Sequence, residues 1–291
     1  MPSVAMMSGI MLNRRRFLAL SAAAWPAMAL GAGKHIPLGA QLYTIRSLIK
    51  GDNLPQLLKQ IRAIGYEEAE LYADLYNKRT AHELAGILRR SGLSAPSGHF
   101  NYEDFAAKIP YARHLGLKWM VCPMLPKAQW GSPEGFRRAA ATFNTWGKEV
   151  QKQGMRFAFH NHNYEFQDLK GTTGFDILVK ETDPELVWLE LDTYWITQAG
   201  RDPVLLLNQL GKRVRMLHLK DRKADVPTSQ VLDDSAMHFT EAGNGTIAFK
   251  PLLALAQKLG IEYYFVEQDE SDKSPMDSLK ISYTFLRKLL G

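Results

Sequence analysis

The chain contains a single cysteine, Cys122, so neither an internal disulfide nor a thiolate metal cluster can form. It lies in the apolar run Trp119 to Cys122 and reads as a small buried strand residue. No Gly-x-Gly-x-x-Gly turn follows the first strand-like segment, so a dinucleotide-binding fold loses its main support. A Gly-rich loop or arginine clamp suited to a phosphate is missing too. The charge excess is small: +6 over 291 residues. Basic pairs such as Arg89, Arg90 and Arg137, Arg138 fall on polar positions of helical patterns and read as solvated faces. Nucleic acid is therefore not an expected partner.

Part of that excess belongs to the beginning of the chain. Asn13 to Leu18 reads NRRRFL and precedes an apolar stretch, Ala19 to Leu30. That stretch is well short of the about 20 residues that span a bilayer. The pattern resembles a twin-arginine export signal opened by Arg14 or Arg15, with Ala27-Met28-Ala29 suited to cleavage. Residues 1–33 are expected to be a removable leader and 34–291 the catalytic domain, with no stable membrane insertion once the leader is cut and location in the periplasm or outside the cell. Removing Arg14, Arg15 and Arg16, with no acid, takes the net charge from +6 to +3.

From His35 onward, strand-like and helix-like stretches alternate. Candidate strands are Ile36 to Tyr43, Tyr66 to Leu71, Leu93 to His99, Lys118 to Cys122, Met155 to His160, Leu186 to Asp192, Val214 to Leu219 and Glu262 to Glu267. Amphipathic stretches between them include Leu54 to Ile64, Ala81 to Arg90, Phe136 to Lys152, Pro203 to Leu210 and Pro251 to Leu259. Glycines at 65, 92, 116, 154, 211 and 260 stand where helices should stop. Helix, glycine, strand, repeated, is the pattern of βα units. Eight strands predict an α/β fold, a single (β/α)8 TIM barrel, in preference to an open sheet.

Four of the strand-like runs end at His160, Asp192, His218 and Glu267. Parallel strands in a barrel bring their C-terminal ends together, so these residues are expected to meet around one divalent metal. Alternation along a strand sets partners on common faces: His160 with His162, Glu190 with Asp192, His218 with Lys220. Two acids on an inner barrel face need a positive partner, which a cation supplies. Asp192 reads less readily as a helix cap, because Tyr194-Trp195-Ile196 makes a poor first turn. Lys220 is placed to stabilise negative charge on a bound oxygen, or to pair with Asp221. Earlier strand ends offer Gln41, Tyr43, Glu70, Tyr72 and His99, and these, with His162 and Trp195, are candidate sugar contacts. The set of oxygen and nitrogen donors, without sulfur, suits Mn, Mg, Co or Zn.

These residues resemble the xylose-isomerase-like TIM barrels, the superfamily of sugar-phosphate isomerases and epimerases, ketose 3-epimerases, inosose dehydratase and endonuclease IV. The carriers are Leu38 to Tyr43, HNHNYEF at His160 to Phe166, LELDTYW at Leu189 to Trp195, HLKD at His218 to Asp221, Glu241 to Gly245, and VEQD at Val266 to Asp269. The resemblance implies a metal held by Glu, Asp, His and Glu from strands five to eight, of which Asp192, His218 and Glu267 match the last three. His160 stands where the family has glutamate, and Glu165 is the alternative fourth ligand or base. The expected reaction is metal-assisted proton abstraction next to a sugar carbonyl through an enediolate, with Glu267 as base and His160 or Glu165 handling a second proton. Return of the proton to carbon gives an isomerase or epimerase, and loss of a β-substituent gives a lyase or dehydratase. Export and the missing phosphate grip point to an unphosphorylated sugar or keto-sugar. The other readings are an endonuclease IV-like phosphodiesterase and a non-catalytic sugar-binding barrel. An oligomer is compatible with all of them.

Overall fold

The computed structural model describes residues 35–233 and 238–291. The export signal expected over residues 1–33 lies outside the described residues. Among the described residues, ten strands run in chain order: β1 Gly39–Gln41, β2 Glu68–Leu71, β3 Ser94–His99, β4 Trp119–Cys122, β5 Arg156–His160, β6 Val187–Asp192, β7 Val214–Leu219, β8 Asp221–Arg222, β9 Phe239–Thr240 and β10 Tyr263–Val266. Eight of them close a barrel in the order β1-β10-β7-β6-β5-β4-β3-β2, and every pairing within it is parallel. The expected eight-stranded barrel is the observed fold.

The helices are α1 Leu54–Ile64, α2 Ala73–Lys78, α3 Ala81–Ser91, α4 Ile109–Leu115, α5 Pro133–Lys152, α6 Gly174–Glu181, α7 Thr193–Gln198, α8 Pro203–Leu210, α9 Phe249–Leu259 and α10 Pro275–Leu290. Local chemistry starts and stops them. Thr80 and Glu83 form a reciprocal capping box on α3, and Gly92, at φ 73°, ends that helix in the left-handed conformation that glycine tolerates best. None of the described helices is long and apolar enough to cross a membrane.

Seven of the eight barrel strands start one to three residues later than the sequence reading, and two of them, β1 and β10, also end earlier. β1 covers only Gly39–Gln41, because Leu42–Leu48 winds into a 3-10 helix whose first turn is capped by the Gln41 side chain accepting from Tyr43 N. Glu267 lies one residue beyond β10, at the turn out of the barrel.

Alternation sorts the barrel side chains into two environments. Phe157, Phe159, Leu189, Leu191, Leu217, Leu219, Tyr264 and Val266 point outward into the main apolar core shared with the helices. Inside, the N-terminal half is filled by a separate cluster of Trp119, Val121, Ala158, Met216, Tyr263 and Phe265, with Trp188 packed against it. Gly39 has no side chain there because Phe265 occupies the space a Cβ would need. Two residues further along the same strands the interior turns polar, with His160, Glu190 and His218, and β6 and β7 set Asp192 beside His218.

Candidate active site

A cleft of about 590 Å³ opens at the C-terminal end of the barrel. His99, His160, Lys220 and Glu267 form part of its lining, and His162, Trp195, Tyr43, Tyr72, Met124 and Leu232 supply walls. Such ring- and thioether-lined walls with polar groups at the base suit a small polyhydroxylated ligand.

At the base, charge converges. Lys220 Nζ lies 2.7 Å from Glu267 Oε2, 3.1 Å from Asp192 Oδ2 and 2.9 Å from Asp269 Oδ1. His218 Nδ1 is 2.8 Å from Glu267 Oε2 and 3.9 Å from Asp192 Oδ2. On the other side of the ring, His218 Nε2 sits 2.6 Å from Glu70 Oε2, which Gln41 Nε2 also meets at 2.8 Å. Ser97 Oγ donates to the other Glu70 oxygen at 2.5 Å. Next to this, Glu190 Oε2 receives His99 Nε2 at 2.8 Å and His160 Nδ1 at 3.1 Å.

Burial and charge set the protonation states. Burial by itself opposes the Lys220 cation, but Asp192, Asp269 and Glu267 outweigh it and hold the ammonium firmly protonated. For Glu267, burial favours the neutral acid, yet Lys220 and His218 win and keep its carboxyl well below the usual range. Asp269 goes the other way, burial raising it to about 7 against the pull of Lys220. His160 is pushed down by burial and by the neighbouring His218, so it is a neutral imidazole. Burial also raises Glu165 to about 8.

The donor chemistry fits a divalent cation. Ligand atoms of Asp192, His218 and Glu267 all lie within 4.8 Å of one another, close to the spacing that donors about 2.0–2.2 Å from one ion require. Asp192 Oδ2 is buried, with the Lys220 ammonium 3.1 Å away as its charge partner. His218 Nε2, facing Glu70, has the carboxylate partner that typically fixes the tautomer of a metal-binding imidazole. His160 stands slightly apart: its Nε2 is 3.8 Å from Asp192 Oδ2, while its Nδ1 is taken by Glu190.

Several sequence expectations land elsewhere. Gln41 and Glu70, expected as sugar contacts, are fully buried beneath the cleft and bonded to each other, because barrel closure turns both inward below the mouth. Glu165 is also fully buried, its Oε2 accepting from His162 N at 3.0 Å and its Oε1 without a partner, so it neither lines the cleft nor joins the ligand cluster. Asp192 does cap a helix: its Oδ1 accepts from Trp195 N at 2.9 Å and starts α7, leaving Oδ2 for the site. Lys220 does not pair with Asp221, whose carboxylate instead accepts from the backbone N–H groups of Arg222, Gly243, Gly245 and Ile247. His99, His162 and Trp195 do line the cleft, and the Trp195 Nε1 and His162 Nδ1 atoms are buried without partners.

Asp269, Arg46 and Asn101 also reach the cleft and were not singled out from the sequence. Asp269 stands past the end of β10, where strand alternation gives no signal. The asparagines of HNHN are structural. Asn161 Oδ1 accepts from Asp192 N at 3.1 Å, and Asn163 Nδ2 donates to the carbonyls of Ser229 and Val231.

Fold and site define a (β/α)8 barrel with a ligand-rich mouth at the C-terminal strand ends. A family model described as xylose isomerase-like TIM barrel matches residues 58–289, and the chain belongs to that family. An inosose dehydratase from Mesomycoplasma hyopneumoniae (strain 7448) is 28% identical over 215 residues, covering 66% of this chain and 71% of the relative. A sugar phosphate isomerase/epimerase from Parabacteroides distasonis ATCC 8503 shares the fold at TM-score 0.75 and 22% identity, over 88% of this chain and 100% of that one. The IOLI protein, solved with a bound zinc atom, has a TM-score of 0.67 at 14% identity, over 88% of this chain and 98% of that one.

Proposed function

We propose that the protein is a metal-dependent sugar-modifying enzyme that removes a proton next to a carbonyl, and that elimination of water is the outcome its site suits best. The observation that carries the reading is the convergence of Asp192, His218, Glu267 and Lys220 at the base of one cleft. Asp192, His218 and Glu267 would hold the ion. Bound there, a divalent ion supplies Lewis-acid polarisation of the carbonyl and stabilises negative charge on its oxygen.

The remaining roles fall to the chain's own groups. Glu267, kept ionised by Lys220 and His218, is a better ligand than base. Asp269 lines the cleft beside Lys220 with a carboxyl near 7, the range in which a group both takes and gives a proton at neutral pH. Its carboxylate takes the proton from carbon. The same proton passes to the β-hydroxyl, which leaves as water while the double bond forms. Lys220 balances the charge that develops meanwhile.

One carboxyl of intermediate pKa facing the ligand favours elimination, which a single acid–base group can perform. The similarity to inosose dehydratases supports the same outcome. Isomerisation or epimerisation is the second reading, supported by the fold neighbour of that name.

The substrate is proposed to be an unphosphorylated sugar or keto-sugar. Asp74, Glu267, Asp269 and Glu270 line the cleft against only Arg46 and Lys220. Arg46 is already spent on Glu270 at 2.6 Å and on the Asp269 carbonyl at 2.7 Å. Lys220 is likewise held by Asp192, Glu267 and Asp269, so neither cation is free to grip a phosphate or a DNA backbone. Export through a twin-arginine signal, proposed from Asn13 to Leu18, agrees with that substrate class.

The test is incubation of the metal-analysed protein in D2O with inososes, ketoses and keto-glycosides. Elimination gives a dehydrated product, and isomerisation gives a deuterated isomer. Binding of a sugar without exchange or product across the panel would leave a binding barrel and overturn the reading. Nicking of abasic DNA would move it to the phosphodiesterase.

A further inference from the structure

Beneath the floor formed by Asp192, His218 and Glu267 lies another convergence of donors. His99 on β3, His160 on β5 and Glu190 on β6 meet inside the barrel, with Glu190 Oε2 at 2.8 Å from His99 Nε2 and 3.1 Å from His160 Nδ1. Together with His218, these residues form a buried group whose ligand atoms lie within 4.8 Å of one another. Glu190 is fully buried, and its second oxygen, Oε1, has no partner. A buried carboxylate oxygen without a donor is costly, and a cation would relieve it.

We propose that His99, His160 and Glu190 form a second divalent-metal site, separate from the site of Asp192, His218 and Glu267. Two imidazoles and one carboxylate make a three-ligand set of the kind that takes zinc or cobalt with a further position open. The floor site has more oxygen and suits the harder ions. His218 sits between the two, its Nδ1 facing the floor site and its Nε2 2.6 Å from Glu70 Oε2 and 3.2 Å from Glu190 Oε2.

Charge balance agrees. Glu70, Glu190, Asp192, Glu267 and Asp269 cluster with one ammonium, Lys220. The carboxylates outnumber the ammonium, and divalent ions would offset the difference. His99 is 8% exposed and lines the cleft, giving an ion a way in.

The competing account is a protonated His99 held between Glu70 and Glu190 without a metal. Stripped protein titrated with cobalt(II) alone distinguishes them. The expected result is two equivalents bound per chain, with visible bands typical of imidazole-rich tetrahedral cobalt that survive excess Mg²⁺. His99→Gln should bind one equivalent and lose those bands, and Asp192→Asn should bind one and keep them. One equivalent in the unmodified protein overturns the proposal while leaving the proposed reaction standing; none would overturn both. If His99→Gln fails to fold, the stoichiometry of the unmodified protein and of His160→Gln decides. Two equivalents that persist in a folded His99→Gln also overturn it.

Discussion

The two halves of the barrel interior are built by the same strands and differ by only two residues along each. β7 offers Met216 and then His218, β10 offers Phe265 and then Glu267, and β5 offers Ala158 and then His160. The N-terminal half is an aromatic and aliphatic plug, flanked at its rim by Arg156 over the Trp119 ring at 5.0 Å and Arg215 over Trp188 at 4.4 Å. The C-terminal half is a layer of acids, imidazoles and one ammonium. Burial of apolar area stabilises the first. Desolvated charge in the second gains stability only from its own partners, so it is kept in place by function more than by fold.

The sharpest break of that contrast is Asp192→Asn. Asparagine caps helices about as well as aspartate, so α7 should keep its start while the site loses a negative ligand. Expected are an unchanged melting temperature, loss of the floor ion, and turnover lower by at least about 10³-fold, read by metal analysis and kinetics. Full ion retention would remove Asp192 from the ligands. Trp119→Ala tests the other half. It should cost about 3–5 kcal/mol and lower the melting temperature by about 10 °C, while the metal content per folded chain stays the same. A loss of bound metal without a loss of stability would contradict the division.

The same contrast explains what could be read from the chain. Strand alternation carries the fold and the inward faces, so Glu190 with Asp192 and His218 with Lys220 were legible from spacing alone. Which inward residue reaches solvent was not legible, because depth depends on barrel closure. Gln41 and Glu70 sit below the mouth for that reason. Asp269 escaped because it stands past β10, where periodicity ends, and its raised pKa arises from burial and from the neighbouring Glu267 and Asp192, against the pull of Lys220, 49 residues away in sequence. The double use of Asp192, one oxygen for a helix and one for the site, was hidden because the short α7 has aromatic residues in its first turn.

A smaller effect is expected from Lys220→Gln. The variant keeps the ligands and removes only the ammonium that bridges Glu267, Asp192 and Asp269. Turnover should fall by about 10²-fold, the range for removing one preorganised charge-stabilising group. Ion affinity should hold or rise, since the carboxylates no longer share a competing cation. Isothermal titration alongside kinetics separates the two, and simultaneous loss of ion and activity would make Lys220 a structural residue.

The smallest expected effect concerns the acid that intrudes on the apolar half. Glu68, on β2, has its pKa raised to about 7 by burial, with Lys118 offsetting part of the shift. Its folded value lies above its unfolded one, so its stability contribution is full below about 4.5 and is lost as pH rises through about 7. Glu68→Gln removes that dependence. Because solvent reaches the half-buried side chain, the gain should be only about 1 kcal/mol, a rise of about 2–4 °C in melting temperature at pH 8. At pH 4, where the native side chain is already neutral, the variant should melt with the parent. Equal shifts at both pH values would mean that packing, not the charge, sets the cost of this one acid among the apolar rings.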